Sequence, residues 1–103
     1  MTMPDLTGQY VIVRTISAGV HAGILGGRDD GAVTLLGARR LWYWVTADKG
    51  ISLSDVAVGG INAAKSKICA ALERIDLLGA IEIIPATTTA RDSIETADVY
   101  RAK

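Results

Sequence analysis

The chain has no phenylalanine, one cysteine, one histidine and two prolines among its 103 residues. A single cysteine excludes an intramolecular disulfide framework and any multi-cysteine zinc site, and it fits a reducing compartment; Cys69 reads as an ordinary small apolar residue. Without phenylalanine the core has to be built from Ile, Leu, Val and Ala, with the few larger rings committed to particular places. Excess charge is missing as well. Eleven Lys and Arg balance 11 Asp and Glu, so no overall field draws the chain to a DNA backbone or an anionic membrane, and neither strong nucleic-acid binding nor membrane association is expected. No apolar run approaches the ~20 residues needed to cross a bilayer, and Met1 to Gly8 lack the basic end and apolar stretch of a signal peptide. These absences predict a soluble intracellular protein with one domain over 1–103, a flexible N-terminus over 1–8 and a C-terminal tail over 97–103. A chain this short buries a limited fraction of its surface alone, so a homo-oligomer is expected.

What is present is mostly β patterning. Gln9 to Ile16 alternate as a strand, Ser17-Ala18-Gly19 supply a turn, and Val20 to Leu25 read as a second strand, with Gly23 allowing close backbone approach or a bend. Gly26 to Gly31 are turn chemistry. Ala32 to Leu36 and Arg39 to Val45 follow as a third and a fourth strand, separated at Gly37-Ala38. Ser52 and Asp55 form a capping-box-like start to a short helix that Gly59-Gly60 can end. Residues 61–79 are ambiguous: Ile61, Ala64, Ile68, Ala71, Leu72, Ile75 and Leu78 recur at helical spacing, yet Ile68, Ala70 and Leu72 also alternate. Ala80 to Ile84 is a strand stopped by Pro85, and Thr89 to Thr96 a short polar helix.

Few constellations carry chemistry. His21 could act as a base for Ser17, but no nucleophile motif surrounds either residue, so no catalytic residue is assigned and an enzyme is not expected. Asp29-Asp30 reads as a solvated corner and the other carboxylates are scattered, which predicts no metal site. Gly26-Gly27 and Gly59-Gly60 lack the spacing of a phosphate-binding loop, and no cofactor is implied. The run Arg39-Arg40-Leu41-Trp42-Tyr43-Trp44 remains. In an unbroken strand Arg40, Trp42 and Trp44 share one face, and Arg39, Leu41, Tyr43 and Val45 the other. Guanidinium binds phosphate bidentately and indole stacks on a base, so the run reads as a nucleotide platform, with Arg14, Ser17 and His21 as further contacts to phosphate or sugar. The same residues also suit a core, an oligomer interface or a protein-binding surface.

Two resemblances extend this reading. Strand one, VHAGIL, the acidic-glycine turn, AVTLLGARRL and the late IEIIP strand are similar in order to small SH3-like barrels of the Sm type, over residues 9–45 and weakly 81–85. That resemblance implies a mostly β, SH3/Sm-like small barrel with short helical insertions. YVIVRTISAGVHAGIL, the ARRLWYW run, LSDVAVGG and AIEIIPATTTA resemble an uncharacterised family of small tailed-bacteriophage proteins, over most of Tyr10 to Ile94. That family implies phage origin and leans 67–77 toward strands. The expected function is therefore a non-enzymatic phage accessory protein in the host bacterial cytoplasm, binding a nucleotide-type small molecule and sequestering a host antiviral immune signal. The alternatives are a virion structural, decoration or assembly protein, an Sm-like RNA-binding module, and an inhibitor of a host protein.

Overall fold

The computed structural model describes residues 5–102. Its strands are β1 (Tyr10–Thr15), β2 (Val20–Asp29), β3 (Ala32–Tyr43), β4 (Lys67–Ile68), β5 (Leu72–Leu77) and β6 (Ala80–Pro85), and its helices are α1 (Leu53–Gly59) and α2 (Thr88–Glu95). All pairings are antiparallel and form one sheet of order β4-β3-β2-β1-β6, with β5 also pairing β3. The fold is thus mostly β with two short helices. No ladder joins β5 to β6, so the sheet is not closed and the expected barrel is not formed by hydrogen bonds.

Local chemistry explains most boundaries. Gly19, with φ of +84°, turns β1 into β2, and the Thr15 hydroxyl donates to its carbonyl at 3.0 Å. Asp55 accepts from the N–H groups of Ile51 and Ser52, both at 3.0 Å, satisfying donors that the start of α1 leaves free. Thr87 caps α2 by accepting from the Ala90 N–H at 3.1 Å.

The predicted strands differ from the observed ones in three places. β2 does not stop at Leu25 but runs on through Gly26-Gly27-Arg28 to Asp29, leaving only Asp30-Gly31 as the turn. The expected third and fourth strands are one, because Gly37 at φ of +58° kinks β3 without breaking its ladders. Between Ala22 and Ile24, β2 advances two residues while β3 advances from Arg39 to Leu36, so β3 carries an extra residue there, a bulge that resets which face its side chains take. Within 67–77 the chain forms β4 and β5, both paired with β3, in line with the strands toward which the family resemblance leans.

Each face of the sheet has its own core. One, covered by the helices, gathers Tyr10, Ile12, Ala22, Leu41, Val56, Ile61, Ile68 and Ile94. The other gathers Val11, Val13, Leu25, Val33, Leu35, Ala38 and Leu77, so the sheet curls far enough for β1 and β5 to share a cluster. Leu6 packs against this second cluster and the Gly8 N–H donates to Leu25, which ties down the described part of the expected flexible N-terminus; residues 1–4 lie outside the described residues. The expected tail is tied down too, with Ala97 buried and the Tyr100 N–H donating to the Ile68 carbonyl at 2.9 Å.

Gly23 faces the β3 kink, where an added Cβ would lie 2.9 Å from the Leu36 carbonyl oxygen and 3.2 Å from the Ala38 Cα. Both neighbours are backbone, so Gly23→Ala should cost about 1–3 kcal/mol, read as a lower urea midpoint at unchanged slope. An unchanged midpoint would contradict that close approach.

Candidate functional site

The residues read as a platform part company because β3 bulges a second time. Leu41 pairs with Ile68 and Tyr43 with Lys67, so Trp42 is an extra residue on β3 and consecutive side chains there lie on one side. The Lys67 ammonium accordingly lies 5.2 Å from the Trp42 ring centre and 5.9 Å from that of Tyr43, and 5.1 Å from that of Tyr100. The alternation resumes afterwards, and Trp44 packs half-buried against the helix-covered core. The expectation that Arg40, Trp42 and Trp44 share a face is therefore corrected. Arg40, Trp42 and Tyr43 project away from the helices, while Arg39, Leu41 and Trp44 project toward them.

Arg39 is 5% exposed and is a structural residue in this fold. Its Nε donates to the Cys69 carbonyl at 2.8 Å and its Nη1 to the carbonyls of Ile94 at 2.8 Å and Ala97 at 2.6 Å. The positive group sits against the C-terminal end of α2, where the negative end of the helix dipole favours a cation. Nη2 has no partner among the described residues, and neither has the buried Tyr10 hydroxyl on the same face. Burial first, then the Glu95 charge, pushes the Tyr10 phenol up to about 12, with Arg91 and Arg39 opposing.

The other predicted contacts scatter. Arg14 is exposed and pairs with Glu82 at 2.8 Å, and Ser17 is an exposed residue of the β1–β2 turn. His21 is 1% exposed, and its Nε2 lies 2.8 Å from the Ala18 carbonyl oxygen. A carbonyl only accepts, so Nε2 carries the proton. Burial, aided by the Arg40 charge, holds the imidazole pKa below its ordinary value against the opposing Ala18 bond. His21 pairs across the ladder with Arg40, and both line an open groove of about 310 Å³ with Ala38, Cys69, Ala70, Leu72 and Ile75. Thus Arg40 and His21 meet at one groove and Trp42 and Tyr43 meet at Lys67.

Lys67 and Tyr100 were not singled out from the sequence. Neither stands in a motif, and the available signal was indirect: an exposed Trp-Tyr pair needs polar or cationic company. Trp42 is 67%, Tyr43 52% and Tyr100 49% exposed. Among the described residues Arg40 has no carboxylate partner, and no group of three His, Cys, Asp or Glu side chains could hold a metal ion. No described helix is long and apolar enough to cross a membrane.

A family model for a domain of unknown function (DUF6948) matches residues 8–94. No curated protein and no solved structure matches the chain.

Two measurements check this geometry. Arg39→Ala removes the donor to the Cys69, Ile94 and Ala97 carbonyls and should cost about 2–4 kcal/mol, with Arg39→Lys intermediate because an ammonium cannot span the same acceptors. Equal urea midpoints for Arg39→Ala and wild type would refute the bonding described. His21 is the sole histidine, and its folded pKa lies below the unfolded value of 6.5. The unfolded chain therefore takes up the proton more readily, so stability is complete above that value and falls as pH drops through it. The urea midpoint should decline between about pH 7.5 and about pH 5.5, and the decline should flatten in His21→Asn.

Proposed function

Starting from a chain that belongs to this DUF6948 family of unknown function, we propose that it is a non-enzymatic phage accessory protein that binds a nucleotide-type small molecule in the host cytoplasm and so sequesters an immune signal. The observation that carries this reading is the exposed cluster at the Trp42 bulge, where an ammonium stands within 5.1–5.9 Å of three ring centres. Flat rings in water next to cations suit a flat anion. A base stacking on Trp42 contributes about 1–3 kcal/mol, and Lys67 and Arg40 supply charge for phosphate.

Under this reading Arg40, Trp42 and Tyr43 meet the ligand together with Lys67, and His21 contributes a wall of the adjoining groove. Arg39 and Trp44 serve the fold, and Arg14 and Ser17 lie outside the site.

Titration calorimetry with a panel of linear and cyclic adenine and guanine nucleotides tests the reading. Trp42→Ala should weaken binding roughly tenfold or more, Lys67→Ala or Arg40→Ala should weaken it and reduce its salt dependence, and Trp44→Phe should leave it unchanged. Absence of heat across the panel would end the proposal.

A second reading, a virion structural or assembly subunit, is favoured by apolar side chains left in water, namely Ile51 at 91%, Leu78 at 76% and Ile16 at 74% exposure. Stoichiometric recovery of the chain from purified particles by mass spectrometry would favour it over sequestration.

A further inference from the structure

We propose that the outer edge of β5 pairs antiparallel with the same edge of a second copy, giving a two-fold dimer whose sheet runs through both protomers. β5 is bonded to β3 along one side, from Val33 opposite Leu77 to Ala38 opposite Leu72, and to no other strand. Among the described residues no backbone bond outside that ladder uses Leu72–Leu77. A row of N–H and C=O groups along six residues therefore faces outward, a template for another strand.

Edge strands are commonly blunted by charge of one sign. This one carries both signs in a self-complementary order. Arg74 and Asp76 lie on one face of β5, joined by bonds from Nε to Oδ1 and Nη2 to Oδ2, each 3.0 Å, with side chains 64% and 53% exposed. With Ile75 on the two-fold axis, Arg74 of each copy stands opposite Asp76 of the other, so the two intrastrand pairs join into a ring of alternating charge. The same register brings Leu72, 50% exposed, opposite Leu78, 76% exposed, at both ends.

Other registers are worse. A slip of one residue sets Glu73 against Asp76, or in the other direction Arg74 against Leu77, and turns the faces over. A slip of two sets Arg74 against Arg74 or Asp76 against Asp76. Directly opposed like charges destabilise a strand pair, so the sequence selects one alignment by penalising its neighbours. An isologous pairing closes at two copies and uses up the edge. Leu72 and Ile75 also line the groove at Arg40, so the second copy lies beside it.

Sedimentation velocity on the full chain at tens of micromolar tests the dimer. Wild type should sediment as two copies. Arg74→Asp and Asp76→Arg should each weaken self-association at least about tenfold, because each sets like charges opposite one another twice. Mixed in equal amounts the two variants should form a heterodimer, and the double variant Arg74→Asp/Asp76→Arg should recover the homodimer. Thermal unfolding of each variant separates lost association from lost folding, and if a single variant fails to fold, the double variant decides. A monomeric wild type, an assembly larger than two, association indifferent to these reversals, or no heterodimer on mixing would each overturn the proposal.

Discussion

The buried guanidinium of Arg39 is the constraint on which the remainder of the structure leans. It binds the carbonyls of Cys69, Ile94 and Ala97, and so joins β3 to the segment after β4 and to the end of α2. Taking a cation out of water costs several kcal/mol, and that cost is offset here by bonds to the carbonyls of Cys69, Ile94 and Ala97. Because this side chain must point to the helices, its neighbour Arg40 must point the other way, to the groove it lines with His21. A structural cation on one face thus fixes, one residue along the chain, a cation on the opposite face that has no carboxylate partner among the described residues.

The irregularities of β3 act through the same alternation. A strand read by period two assumes an unbroken ladder, and β3 has two extra residues in its ladders, near Gly37 and at Trp42. The first lets Leu35 and Ala38 both enter the second core although they differ in parity. The second brings Trp42 and Tyr43 together over Lys67 and returns Trp44 to the first core. The aromatic cluster is therefore a product of register, which a partner strand sets, and only secondarily of composition.

This explains how much could be read from residues alone. β1, the start of β2, the Ser52–Asp55 helix start and the stop at Pro85 are local events, governed by propensity, caps and turn geometry, and they were legible. Residues 61–79 were not, because taken locally their helical spacing is the better match than their alternation; contact with β3 overrides it, and β4 is only two residues long. Arg40, Trp42 and Tyr43 were legible as chemically capable types. That Arg39 is walled in, that His21 is nearly inaccessible, and that Lys67 and Tyr100 complete the cluster depend on contacts between distant segments, which no local pattern carries.

The placement of the rings bears on what the surface is for. The core closes with aliphatic side chains, and only Tyr10 and Trp44 among the aromatics contribute to it. Trp42, Tyr43 and Tyr100 stay in water although burying rings of that size would stabilise the fold by about 2–3 kcal/mol each. Contact with Lys67 offsets part of that loss and limits the positions the rings adopt. Rings already held in place lose less freedom when a flat partner arrives, so more of the stacking energy appears as affinity. The sole histidine takes no part in this cluster, because its ring is turned inward onto the Ala18 carbonyl.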